Sequence, residues 1–209
     1  MTPAAGPALP IVLAMTGASG AGYGLRLLDC LLAASLPVHL ICSPTALQVI
    51  NGETDLQLPG RPAGQARALA ERFAAAPGAL SVYAASDWRA PAASGSARLG
   101  AMVVCPCSMG SLAAIAAGAS DNLIERAADV ALKEGRRLVL VPRETPLSAI
   151  HLENMLKLAR LGACVLPANP GFYERPATLE ALVDFIVARI LDQLGVPHQL
   201  GPRWGQTPE

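Results

Sequence analysis

Charge is scarce in this chain. Charged residues make up 15% of the sequence, well below the ~25% of an ordinary soluble domain. They also cancel, with 16 basic against 16 acidic residues, so nothing in the charge points to a nucleic-acid or membrane-surface partner. No lysine or arginine precedes Arg26, and the apolar run Ile11–Met15 is too short for the core of a signal peptide. A cytoplasmic protein is therefore expected. Aromatic residues are only 4%. There is no Cys-x-x-Cys, since Cys105 and Cys107 are separated by Pro106 alone, and His39, His151 and His198 form no pair at ligand spacing. Neither a metal centre nor a dithiol redox site is expected. Also missing are the dinucleotide-binding G-x-G-x-x-G, the Gly-Lys-Ser/Thr of a P-loop and the G-x-S-x-G of a hydrolase.

What the chain has in excess is apolar surface, 52% of its 209 residues. A domain of this size cannot hide so much internally, so part of the exterior is expected to be buried between subunits. The longest uncharged stretch, residues 99–120, is interrupted by Pro106, Ser108, Gly110 and Ser111, and does not read as a membrane span.

Short, continuous apolar runs recur at residues 11–15, 38–42, 101–105, 138–141 and 164–166, the pattern of strands covered on both faces. Helical periodicity separates them. Leu25, Leu28 and Leu32 share a face, as do Leu123, Ala127, Val130 and Ala131, and Leu152, Met155, Leu156 and Ala159; a last helix runs over residues 179–194. The alternation predicts a single α/β domain, a flavodoxin- or Rossmann-like doubly wound parallel sheet over residues 11–196. A flexible segment (1–10) precedes it, and a Pro/Gly-rich tail (197–209) follows and packs near the active site. Residues 84–100 form the longest loop and a candidate binding loop.

In such sheets ligands bind beyond the carboxyl ends of the strands. The first strand is followed by Thr16-Gly17-Ala18-Ser19-Gly20, where glycines let backbone approach a ligand and a helix start offers N–H groups to a phosphate. Ser43 stands where an NAD enzyme places its ribose carboxylate, which favours a mononucleotide. Ser108, Met109, Gly110 and Ser111 open another helix, either as flavin or phosphate donors or as a simple N-cap. Arg126 and Lys133, two helical turns apart, together with Arg143 and Arg189, form a candidate phosphate cluster. Taken singly, Arg126 has Asp129 to pair with, and Lys133 can simply face water. Glu53, Trp88, Tyr173 and Trp204 fall in Gly- or Pro-rich segments rather than on helical faces. His39 reads as core and His151 as a local cap.

Several longer motifs resemble the UbiX flavin prenyltransferases: Met15-Thr-Gly-Ala-Ser-Gly-Ala21, Ile124-Glu-Arg-Ala-Ala-Asp-Val-Ala-Leu-Lys-Glu134, Leu140-Val-Pro-Arg-Glu-Thr-Pro-Leu147, His151-Leu-Glu-Asn-Met155, Pro170-Gly-Phe-Tyr173 and Pro202-Arg-Trp-Gly205. The resemblance implies a flavodoxin-like fold, a dodecamer, and metal-independent transfer of a dimethylallyl group from dimethylallyl phosphate to N5 and C6 of reduced FMN. The product would serve a UbiD-type decarboxylase, with ubiquinone biosynthesis as the setting. By motif, Gly17, Ala18, Ser19, Ser43, Ser108, Met109, Gly110, Ser111 and Arg143 correspond to FMN contacts. Arg126, Lys133, Glu144, Tyr173 and Arg189 correspond to positions around the allyl phosphate, Tyr173 coming from a neighbouring subunit. Ser19 and Glu53 match proton-handling positions near flavin N5, and Trp88 and Trp204 are the aromatic faces available to the allyl group. Gly135 departs from the pattern, since many relatives carry arginine there. An FMN-dependent cysteine decarboxylase is the main rival. Its Pro-x-Met-Asn segment is absent, and Arg143-Glu-Thr-Pro146 stands in that region. A non-catalytic flavin-binding protein is the other.

Overall fold

The computed structural model describes residues 8–173 and 175–201. Six parallel strands form one sheet in the order β3-β2-β1-β4-β5-β6. They are β1 (Ile11–Met15), β2 (Val38–Cys42), β3 (Leu80–Ala84), β4 (Ala101–Cys107), β5 (Arg137–Pro142) and β6 (Cys164–Val165). The five apolar runs are all strands. The sixth, β3, was not legible because it pairs only with β2, at the sheet edge, and all five of its residues are half-buried.

Side chains alternate between two cores, as pleating demands. Ile11, Leu13 and Met15, with Val103, Cys105 and Val139, face α1 (Ala21–Ala33), α2 (Pro44–Glu53), α3 (Pro62–Arg72) and α7 (Leu179–Leu194). Val12, Ala14, Met102, Val104 and Leu140 face α4 (Met109–Ala117), α5 (Leu123–Lys133) and α6 (Ala149–Arg160). The helix after β1 thus lies on one face and the helix after β4 on the other. The two strands are neighbours, so a crevice opens between their carboxyl ends, the topological switch point of a doubly wound sheet.

The loop after β3 descends to the amino end of β4 with only one 3₁₀ turn, Pro91–Ala93. Two arginines hold it. Arg126 Nε donates to the Ala93 carbonyl at 3.0 Å, and Arg136 donates to Gly95 and Ala97 at 2.6 and 2.7 Å. Helix α6 is unlike the others, burying only Leu158 while Ile150, Leu152 and Leu156 are at least half exposed. His151 completes its capping box with Ser148. His39 is half-buried on β2, edge-on to Tyr83, and its Nδ1 has no hydrogen-bond partner.

Candidate active site

Three segments converge on the β1/β4 crevice. The turn after β1 brings Gly17, Ala18 and Ser19 over the sheet. A Cβ at Gly17 would lie 2.6 Å from Thr45 Cγ2, so only glycine lets α2 come this close. Gly20, the N-cap of α1, has φ +107°, a conformation that favours glycine. Ser43 caps α2, its hydroxyl accepting from Ala46 N–H at 3.0 Å.

The start of α1 was expected to offer its N–H groups to a phosphate, but a side chain occupies two of them. Gly20 and Ala21 N–H donate to Glu53 Oε2 at 2.8 and 3.0 Å. Glu53 does not lie off the helices in a Gly-rich segment, as expected, but is the last residue of α2. With Ser43 as cap and Pro44 in the first turn, α2 runs long enough to carry it there. Partial burial pushes the Glu53 pKa up. The Ser19 hydroxyl, the two N–H groups and the Arg143 charge pull it down more strongly, and it ends below the usual carboxylate value. Arg143, just past β5, also donates Nε–H to the Ser19 carbonyl at 3.0 Å. Ser19, Glu53 and Arg143 are therefore assembled within one chain.

The other helix start remains open. Ser108 caps α4, accepting from Ser111 N–H at 3.3 Å and donating to the Ser111 hydroxyl at 3.1 Å. That leaves the N–H groups of Met109 and Gly110, which have no acceptor within the helix, and open space above Gly110. Serine hydroxyls, first-turn amides and a nearby guanidinium make a donor set suited to a flavin and its phosphate.

The expected phosphate cluster is not assembled in a single chain. Arg126 pairs with Asp129 at 2.7 Å and Lys133 with Glu134 at 2.5 Å, both on α5 or its end. Lys133 lies just before Arg136, whose partners Gly95 and Ala97 lead into β4, so it stands at the amino end of the sheet. A strand the length of β5 puts on the order of 20 Å between that end and Arg143. Arg189 lies on α7, across the sheet, paired with Asp192 at 2.7 Å. Tyr173 is on the same side as Arg189, 56% exposed, with its ring 5.8 Å from Phe185, one turn before Arg189. Glu144 keeps its carboxylate on its neighbour, Thr145 N–H, at 3.1 Å. Trp88 is exposed, and Trp204 lies outside the described residues.

The cysteines are free. Burial pushes Cys42 and Cys107 up to about 12 and raises Cys105 as well, so these are inert packing residues. Among the described residues no group of His, Cys, Asp and Glu is arranged to hold a metal, and no helix is long and apolar enough to cross a membrane. Thr16 was missed by the sequence reading. It is buried at 1% exposure and joins the turn after β1 to the turn after β4.

Comparison with known proteins identifies the family. The family model described as Flavoprotein matches residues 3–191. The flavin prenyltransferase UbiX of Pseudomonas aeruginosa is 60% identical over 94% of both chains. The chain belongs to the UbiX flavin prenyltransferases. The UbiX of Halalkalibacterium halodurans is 50% identical over 92% of this chain and 91% of its own. Among solved structures, AnUbiX (PadA1), in complex with FMN and dimethylallyl pyrophosphate, superposes with a TM-score of 0.85 at 44% identity, over 96% of this chain and all of its own. A dodecameric FMN-dependent UbiX-like decarboxylase from Escherichia coli O157:H7 gives 0.84 at 44% identity over 95% of this chain and all of its own. An FMN-dependent cysteine decarboxylase, at 17% identity, shares the fold alone.

Proposed function

We propose that this UbiX family member transfers the dimethylallyl group of dimethylallyl phosphate to N5 and C6 of reduced FMN, giving prenylated FMN. The observation that carries the reading is the crevice between β1 and β4, lined by Ser19, Glu53 and Arg143 and by the open start of α4, in a chain whose relatives across almost its full length are prenyltransferases. Gly17, Ala18, Ser19, Ser43, Arg143 and Ser108 through Ser111 hold the flavin. Reduced FMN, when bound, supplies the nucleophilic ring positions. Glu53, ionised at neutral pH, accepts protons with Ser19 beside it, and Glu144 assists at the phosphate end.

The departing phosphate needs cations where charge develops. Arg126, Lys133 and Arg189, with Tyr173, supply them from neighbouring copies, because these residues occupy opposite faces and ends of one chain. Trp88 and Trp204 provide aromatic faces that exclude water from the allyl group. Packing of copies also covers the apolar outside of α6, and a dodecamer is the expected assembly. The product passes to a UbiD-type decarboxylase in the cytoplasm, in ubiquinone biosynthesis.

Mass spectrometry of the flavin after incubation of the protein with reduced FMN and dimethylallyl phosphate tests this. A flavin heavier by one prenyl unit is expected; unmodified flavin under conditions where FMN is bound would contradict it.

A further inference from the structure

Thr16 has no part in the chemistry above, yet it is the polar side chain most deeply placed in the crevice. The β1–β4 ladder pairs Ile11 with Ala101 and runs in regular register as far as Ala14 and Val104. Beyond that the regular register ends as the turns diverge toward opposite faces of the sheet, and a backbone bond from Thr16 to Pro106 is joined there by the Thr16 side chain. Thr16 N–H and Thr16 Oγ1 both donate to the Pro106 carbonyl, at 3.1 and 2.9 Å. The same Oγ1 accepts from Ser108 N–H at 2.7 Å. One hydroxyl therefore adds a side-chain rung beside the backbone bond and extends it to Ser108, using both its donor and its acceptor capacity. Its ends are the turn that carries Gly17 to Ser19 and the N-cap of α4.

The Ser108 amide has Thr16 as its acceptor, and burial of Thr16 at 1% exposure leaves water no route to substitute for the hydroxyl. The position of Ser108 then fixes the first turn of α4, since Ser108 in turn orients Ser111.

We propose that Thr16 is a positioning residue for flavin binding, its buried hydroxyl locking the turn after β1 to the start of α4 so that the two halves of the flavin cradle keep one spacing. The inference rests on the FMN reading above.

Thr16→Val keeps shape and removes the rung, stranding the Ser108 N–H. FMN affinity, by flavin titration, falls about ten- to a hundredfold. KM for dimethylallyl phosphate stays unchanged, because the phosphate residues lie elsewhere. Thr16→Ser, which keeps the hydroxyl, restores FMN affinity to within a few-fold of wild type. Hydrogen exchange in the ligand-free wild-type protein, which does not depend on any variant folding, shows the Ser108 amide strongly protected. FMN binding by Thr16→Val at wild-type affinity, or a Ser108 amide exchanging at the rate of an open loop, overturns the inference. Wild-type protein that binds no FMN overturns the flavin reading and the inference with it. A protected Ser108 amide in that case locates the error in the ligand and not in the hydrogen bond.

Discussion

The carboxyl end of the sheet and the cation-bearing helices are built on opposite plans. At the sheet, Thr16, Ser19, Glu53, Ser108 and Arg143 come from three loops and a helix end, and lock to one another over sequence separations of 33 to 124 residues. On the helices, Arg126, Lys133 and Arg189 each pair with a carboxylate only one or three residues away. The exposed pairs of Lys133 and Arg189 hold little energy and break readily, while Arg126 is half-buried and also donates to the Ala93 carbonyl. The first region is finished within one chain. The second is a set of separate charges on two faces of the molecule, awaiting a surface that gathers them. On the proposed function, the difference teaches that the flavin half of the site is a property of the fold, and the phosphate half a property of the assembly.

Glu53→Gln should have the largest effect and sharpens the comparison from the flavin side. The change keeps an oxygen to cap α1, so FMN titration should give near wild-type affinity. Prenyl transfer should slow ~10²–10⁴-fold if the carboxylate handles protons. A variant that turns over normally would reduce Glu53 to a helix cap.

Lys133→Ala probes the other half. Removing one charge-assisted contact from a desolvated phosphate should lower kcat/KM for dimethylallyl phosphate about ten- to a hundredfold, with FMN binding intact. Unchanged kinetics would leave Lys133 as a solvated helix residue and break the comparison.

The smallest effect is in acid. The folded-state pKa of Glu53 is depressed, so its stabilising contribution is present above the unfolded carboxylate value and is lost as pH falls through the folded one. Denaturation midpoints of wild type should therefore decline below about pH 4.3 more steeply than those of Glu53→Gln. Parallel pH profiles would mean that the Ser19, Gly20 and Ala21 contacts do not favour the ionised form.

Much of this was legible in the sequence because buried parallel strands are uniformly apolar. Runs such as 101–105 and 138–141 have no other good reading. The edge strand β3 was not, since Leu80-Ser81-Val82-Tyr83-Ala84 mixes polar and apolar residues. Helices α2 and α3 begin at Pro44 and Pro62 and bury few residues, so their apolar faces are too narrow to announce them. In the site, the glycine turn, Ser108 and Arg143 could be placed at strand ends by counting. Thr16 could not, because a threonine at the end of an apolar run gives no sign that its hydroxyl spans 92 residues to Ser108. Glu53 was found by resemblance, but its capping of α1 depends on a helix the sequence hid. Arg126, Lys133 and Arg189 were grouped by type and spacing, and one-dimensional spacing cannot tell which face of the sheet a helix covers.

The division between a flavin half and an assembled phosphate half is tested most directly by mixing two impaired variants. Glu53→Gln and Lys133→Ala chains co-expressed and purified as mixed oligomers place an intact Glu53 from one copy opposite an intact Lys133 from another in roughly a quarter of the sites, if assortment is random. The account predicts that transfer activity recovers to about that fraction of wild type, far above either parent. Mixed oligomers no more active than the average of the two parents would mean that each chain builds its phosphate site alone, and would contradict it.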